Sequence, residues 1–181
     1  MEKKKNPFRV SVRDIALIGM MTAVIEVSKL ALAAVPNVEL VTFWIIMFSL
    51  FFGPKVIYSI LVFILIEVSI YGVNVWVIMY LYIWPTLALL TLLFNKKKDS
   101  LLVFAILSGF YGLLFGAYCS LPYIVIGSVG GGIKSGLIMA FNWWVAGIPY
   151  DILHGISNFF VMLVLYHPVH KVMKKIKVGM L

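Results

Sequence analysis

Apolar runs of bilayer-spanning length follow one another along almost the whole chain, from about Val12 to Tyr166. A hydrocarbon core takes about 20 apolar residues as helix. Lipid offers no partner to a bare peptide group, so spans are helices or closed barrels. The runs here do not alternate with period two, which selects helices. Composition agrees: 63% of the 181 residues are hydrophobic, 12% are charged and the mean hydropathy is +1.06. A soluble domain of this length leaves too much surface in water to hide that much apolar area. The single cysteine, Cys119, excludes a disulfide framework and a cysteine-ligated metal cluster.

The expected fold is all-α: one integral membrane bundle over residues 1–181, with about six transmembrane helices. The spans fall at about 12–35, 40–52, 56–71, 75–94, 100–126 and 136–166. Pro36 and Asn37 close the first, Gly53-Pro54-Lys55 the second and Gly72 the third. A bend is expected near Pro122. Gly147-Ile148-Pro149 should break the last stretch, since proline removes a helix donor and clashes with the preceding turn. An outer segment would precede that break, and a span from about Asp151 to Tyr166 would follow it.

Basic residues set the orientation. Of the 15 Lys and Arg, all but Lys29 and Lys134 fall on one side of a six-span chain. They are Lys3, Lys4, Lys5, Arg9 and Arg13 at the start, Lys55, Lys96, Lys97 and Lys98 at two turns, and Lys171, Lys174, Lys175 and Lys177 at the end. The positive-inside rule puts both termini in the cytoplasm. This asymmetry accounts for a net charge of +8 and a pI near 9.6 without any nucleic acid. The lysine runs read as solvated flanks against anionic lipid. The first apolar run is too long for a cleaved signal and is expected to stay as a span. Gly130-Gly131-Gly132-Ile133-Lys134-Ser135 lacks the spacing of a phosphate-binding loop and reads as an outer loop.

Ionisable residues inside spans are costly and mark sites or pairs. Glu26 and Lys29, three apart on one face, either pair with each other or meet a ligand. Glu67 stands alone on the third span, facing a ligand or reaching towards water. Asp151, His154 and Asn158 share one face of the last helix. Asp151, just after Pro149, also suits the positive end of that helix. His-Glu-x-x-His, Cys-x-x-Cys and Gly-x-Ser-x-Gly do not occur, so neither a metal site nor catalytic residues are expected. A dyad of Asp151 and His154 is the enzyme alternative; a stand-alone channel or structural membrane protein is another.

Aromatic residues gather towards the outer ends: Trp76, Tyr80, Trp84, Tyr118, Trp143 and Trp144, with Tyr71, Tyr82, Tyr123 and Tyr150. An interfacial belt predicts two rings. A one-sided distribution points to an aromatic-lined cavity for a flat heteroaromatic ligand. The outer half has no arginine and offers Glu39, Glu67, Asp151 and His154 against Lys29 and Lys134. That balance favours a neutral or cationic ligand over a doubly anionic one.

Four pieces of sequence carry a resemblance. They are Ala16-Leu-Ile-Gly19-Met-Met-Thr-Ala23 on the first helix, Pro36-Asn37-Val38-Glu39-Leu40 on the first outer loop, Phe51-Phe52-Gly53-Pro54-Lys55 at the next turn, and Gly147 to Asn158 opening the last helix. In this order the chain resembles the substrate-binding (S) components of energy-coupling-factor (ECF) vitamin transporters over nearly its whole length. The resemblance implies a subunit that captures a micronutrient at the outer ends of its helices in a bacterial-type plasma membrane. Asn37 and Glu39 join the candidate ligand contacts on this ground. It also implies partners: a transmembrane coupling subunit and two cytoplasmic ATPases. ATP is used there, so no cofactor and no enzymatic activity are expected of this chain. Ala16, Gly19 and Ala23 would seat the coupling subunit, as small residues permit close approach. Outer loops at 36–41, 72–76 and 127–135 would close the cavity. The cargo is expected to be riboflavin-like, thiamine-like, a cobalamin, a queuosine precursor or another heterocycle.

Overall fold

The computed structural model describes residues 11–95 and 100–179, and all regular structure among them is helical. Lys3, Lys4, Lys5, Arg9, Lys96, Lys97 and Lys98 lie outside the described residues. Helix α1 (Val12–Ala31) opens on a capping box. The Ser11 hydroxyl accepts from the Asp14 amide at 3.2 Å, and the Asp14 carboxylate accepts from the Ser11 amide at 3.1 Å. α1 ends short of the expected Val35. Helix α2 (Val41–Phe52) stops at Gly53, whose φ of 63° few other residues tolerate. A single 3₁₀ turn, Gly53–Lys55, leads into α3 (Val56–Tyr71). Then come α4 (Val75–Asn95), α5 (Leu101–Leu113), α6 (Phe115–Ser128) and α7 (Gly132–Gly179).

Side-chain contacts give the helix directions. Trp44 at the start of α2 donates to Ser28 near the end of α1 at 2.8 Å, and Phe51 at the other end of α2 lies beside Arg13 and Asp14. So α2 runs antiparallel to α1. Next, Lys55 pairs with Asp14, Thr22 donates to the Ser59 carbonyl at 3.2 Å, and Lys29 pairs with Glu67. So α3 runs parallel to α1. Tyr80 of α4 stacks on Phe63, and Asn95 ends beside Leu50 and Phe51. α5 and α6 lie antiparallel along α7, with Phe104 on Tyr166, Gly112 on Gly155, and Gly127 on Gly136. The core is built where α2, α3 and α4 meet, from Phe43, Ile46, Phe63, Ile83 and Leu87, with Phe104 of α5 and Met162 of α7.

Four helical stretches are by length and composition apolar enough to cross a membrane: Val41–Tyr71, which reverses at Gly53 between α2 and α3, Val75–Asn95, Leu101–Ser128 and Gly132–Gly179. α1, which carries Arg13, Asp14, Glu26 and Lys29, is not among them. Large apolar side chains cover the outside, for example Leu65 at 64%, Val125 at 70% and Val164 at 68% exposure. Length and composition thus carry an all-helical membrane protein with four candidate spans.

Two expected breaks move. The bend foreseen near Pro122 occurs at Leu114, between α5 and α6, and Pro122 sits inside α6. Proline cannot donate to the carbonyl one turn back, which belongs to Tyr118. The Tyr82 hydroxyl donates to that carbonyl instead, so the helix continues. The break foreseen at Gly147-Ile148-Pro149 is also absent: α7 runs unbroken through Pro149 and Pro168, and past Tyr166 to Gly179. Tyr123 stacks on Trp143, and Gly127 meets Gly136, so α6 holds this part of α7 in line. The outer loop expected at 127–135 shrinks to the turn between Ser128 and Gly132. At 48 residues α7 is about 70 Å long at 1.5 Å per residue.

Candidate ligand site around Glu39 and His154

The loop between α1 and α2 is strapped to α7 at two points. The His154 imidazole lies 3.1 Å from the Glu39 carboxylate, and the Ser157 hydroxyl donates to the Asn37 carbonyl at 3.0 Å. Asn37 adopts a φ of 57°, which turns the chain so that both contacts form. Glu39 also accepts from the Thr42 amide at 2.9 Å, three residues on, which satisfies a free donor at the start of α2. Burial pushes the Glu39 carboxyl up. The His154 contact and the Thr42 bond outweigh it and hold the group below the usual carboxylate range.

An aromatic wall runs from this strap to a second charged group. The His154 ring meets Phe115 at 4.8 Å, Phe115 meets Trp84 at 5.7 Å, Trp84 meets Tyr80 at 5.4 Å, and Tyr80 stacks on Phe63 at 6.0 Å. Trp76 meets Tyr80 edge-on at 5.2 Å. The spacing of Trp76, Tyr80 and Trp84 puts all three on one face of α4. Beyond Phe63 stands Lys29, 5.8 Å from that ring and 5.0 Å from Tyr71. Lys29 pairs with Glu67 on α3. Glu67 is therefore buried and paired across helices, neither alone nor turned to water. Glu26 is buried one turn below Lys29. Phe63 and Phe115 belong to the wall although the sequence does not single them out as contacts, and Lys29, expected to pair with Glu26 or meet a ligand, stands at its end paired with Glu67. The signal was present for Phe63, which lies four residues before Glu67 on one face of α3.

Of the buried polar atoms beside this wall, Oγ1 of Thr42 and Nε1 of Trp84 have no hydrogen-bond partner, and the Glu26 carboxyl lies against that of Glu67. Each such group in an apolar interior costs free energy. Five cavities of about 200–440 Å³ lie at the lysine-rich end and on the flanks, and none of these five is lined by Glu39, Glu67 or His154.

The remaining candidates sit elsewhere. Asp151 accepts from the Gly116 amide at 2.9 Å, at the break between α5 and α6. It lies inside α7 rather than in a first turn, and the helix end it serves is that of α6. A freed amide in lipid needs such a partner. Asp151 and His154 therefore engage different groups. Asn158 is buried, its carbonyl accepts from Ser108 at 3.0 Å, and its side-chain amide is unpartnered. Tyr118 packs on Tyr111 at 5.4 Å, on the far side of α4 from the wall. Trp143 stacks on Tyr123, and Trp144 meets Phe141, on the exposed part of the α6–α7 pair. Among the described residues no group of three or more His, Cys, Asp or Glu is placed to hold a metal ion.

Ala16, Gly19 and Ala23 are all exposed along one face of α1, and a Cβ built on Gly19 would meet no atom within 4 Å. Comparisons with family models, with curated proteins and with solved structures give no match to this chain.

Proposed function

We propose that this chain is the substrate-capturing membrane subunit of an ATP-driven importer of the energy-coupling-factor type. In this reading it crosses a bacterial plasma membrane six times, with both ends in the cytoplasm. The alternating directions of α1, α2, α3, α4, the α5–α6 pair and α7 support six passes. Arg13, Lys55 and Lys171 to Lys177 gather at one end, which supports a cytoplasmic face there.

The observation that carries the reading is the strapped aromatic wall: Glu39–His154 at one end, Lys29–Glu67 at the other, and buried polar atoms without partners between them. Carboxylates outnumber cations around it, with Glu26, Glu39 and Glu67 against Lys29. The cargo is therefore neutral or cationic and heteroaromatic, of vitamin or micronutrient size, stacked on Tyr80 and Trp84. Entry requires the 32–40 loop to leave α7, which breaks the Glu39–His154 and Asn37–Ser157 hydrogen bonds. The exposed Ala16-Gly19-Ala23 face supports docking of a coupling subunit, whose ATPase partners supply the energy.

Mass spectrometry of the small molecule that co-purifies with the chain tests this directly. The expected result is a flat heterocycle whose affinity falls at least tenfold in Trp84→Ala and in His154→Ala. A purified, folded chain that binds no such molecule from a vitamin panel, or binds it equally well in both variants, overturns the assignment.

A further inference from the structure

The two contacts that hold the loop between α1 and α2 against α7 differ in chemistry. Within itself the loop is a string of turns, with backbone bonds from Ala33 to Leu30, Val35 to Leu32 and Val38 to Val35 at 3.2, 2.9 and 3.4 Å. Towards α7 it makes the Ser157–Asn37 bond at 3.0 Å, in which neither group titrates, and the His154–Glu39 contact at 3.1 Å, in which both do. The two side chains of the second contact are 7% and 19% exposed. Histidine is the side chain that ordinarily gains its charge between about pH 8 and 5. A neutral imidazole can donate one hydrogen bond from Nε2 to the Glu39 carboxylate. An imidazolium makes the same bond as an ion pair, which is stronger.

The imidazole has a carboxyl group on two sides. On its own helix Asp151 lies one turn before it, with Oδ1 on the Gly116 amide and Oδ2 without a hydrogen-bond partner. From α6 the ring meets Phe115 at 4.8 Å, and Cys119 stands on the far side of Asp151. α5 packs Gly112 on the His154 backbone. Around Glu39, α2 supplies the Thr42 amide at 2.9 Å, and Tyr80 of α4 lies within electrostatic reach. Lys29 stands at the other end of the wall, beyond Phe63.

We propose that the His154–Glu39 contact is a proton-operated latch: protonation of His154 fastens the 32–40 loop to α7, and loss of that proton lets the loop lift. With the loop docked, an imidazolium has the Glu39 carboxylate as its counter-ion. With the loop away, it does not. The docked state therefore holds the proton more tightly, and a falling pH shifts the loop towards it. The Ser157–Asn37 bond is blind to pH in this range and sets the baseline of docking. The latch stands on the loop contacts and holds whether or not the wall binds a cargo. If it does, acidity on that side slows both entry and exit.

The test is amide hydrogen exchange of the full-length chain in detergent, without ligand, at about pH 8 and about pH 5. Protection of residues 33–42 is expressed relative to an unstructured peptide at the same pH, which removes the intrinsic pH dependence of exchange. The Thr42 amide is the most direct reporter, because its acceptor is Glu39. Protection there and in the loop is expected to be about fivefold higher at the lower pH, the step from a hydrogen bond to an ion pair. His154→Gln keeps a donor for Glu39 but does not titrate, and Glu39→Gln keeps an acceptor without the charge. Each should show the same protection at both pH values. Ser157→Ala should lower protection at both and leave their ratio unchanged. Equal protection of the parent at the two pH values overturns the proposal. So does a parent-sized rise in His154→Gln or in Glu39→Gln, since the titrating contact would then lie elsewhere. Because no ligand is present, a failed latch leaves the cargo assignment to its own experiment.

Discussion

Two tracts of small residues in this chain share a spacing and differ in their surroundings. Gly112 and Gly116 stand four apart at the α5–α6 junction, as Gly19 and Ala23 do on α1. A Cβ on Gly112 would lie 2.8 Å from the Cα of Gly155, and one on Gly155 would lie 2.5 Å from Leu113 Cγ. The same atom on Gly19 meets nothing. The first tract is spent inside the chain, letting α5 and α7 touch backbone to backbone; the second is left open. Lipid gives helices no hydrophobic reason to associate, so close packing is one of the few forces available. An unspent small-residue face is therefore informative in a way that a spent one is not.

The sharpest way to break the comparison is to add volume to the packed tract. Gly112→Leu forces α5 away from the α7 backbone, where no flexible side chain can yield. Overpacking typically costs about 1–3 kcal/mol, and a backbone contact puts this case at or above the upper end. The purified variant should lose most of its thermal transition; a melting temperature equal to that of the parent would show that the seam is loose.

The α1–α3 contact is held differently, by polar side chains rather than by glycine. Lys29→Met leaves Glu67, 2% exposed, without its cation and beside the buried Glu26. Removing one partner of a buried pair costs about 3–5 kcal/mol, and the partial exposure of Lys29 favours the lower figure, about 3 kcal/mol. Lys29→Met with Glu67→Met together should recover much of the loss, since no charge is then stranded. A double variant as unstable as the single one would mean that Lys29 acts through something other than Glu67.

The helix-forming stretches were legible because apolar runs and the Gly53 and Gly72 stops are local signals. Proline was misread at 122 and 149, because its cost depends on what takes the orphaned carbonyl and on which helix lies alongside. Tyr82, distant in sequence, supplies that partner to Tyr118. Asp151 shows the same limit. Its place after Pro149 suggested a cap for its own helix, yet it serves Gly116 on another. In the candidate site, Glu39, Tyr80, Trp84 and His154 converge, whereas Trp143 and Trp144 do not. One-sided aromatic enrichment reports height along the bundle and says nothing about which side of a helix faces inward.

The strap between loop and α7 is a weaker contact, and it carries a pH signature. Glu39 is held below the usual carboxylate range in the folded chain, so folding favours its ionised form. Its stabilisation is full above the unfolded value of about 4.3 and is lost as pH falls through the lowered one. Glu39→Gln should therefore cost about 1.5 kcal/mol near neutrality, the scale of a hydrogen bond to a charged group. The gap in melting temperature between parent and variant should narrow progressively below about pH 4. A gap that stays constant down to pH 3 would place the stabilisation elsewhere in the loop.

The open tract gives the smallest stability effect and the most pointed functional one. Gly19 is helical and its Cβ direction is empty, so Gly19→Leu meets no clash within the chain. Replacing glycine in a helix even adds a fraction of about 1 kcal/mol, through the entropy of the unfolded chain. The variant should melt at or slightly above the parent temperature and retain its ligand with unchanged affinity. Under the proposed function, uptake by cells carrying it should nevertheless be lost, because a leucine there would keep a coupling subunit from approaching the α1 backbone. Retained uptake would mean that the face is merely lipid-exposed. A fall in melting temperature would mean that the tract is packed after all, and the contrast with Gly112 would dissolve.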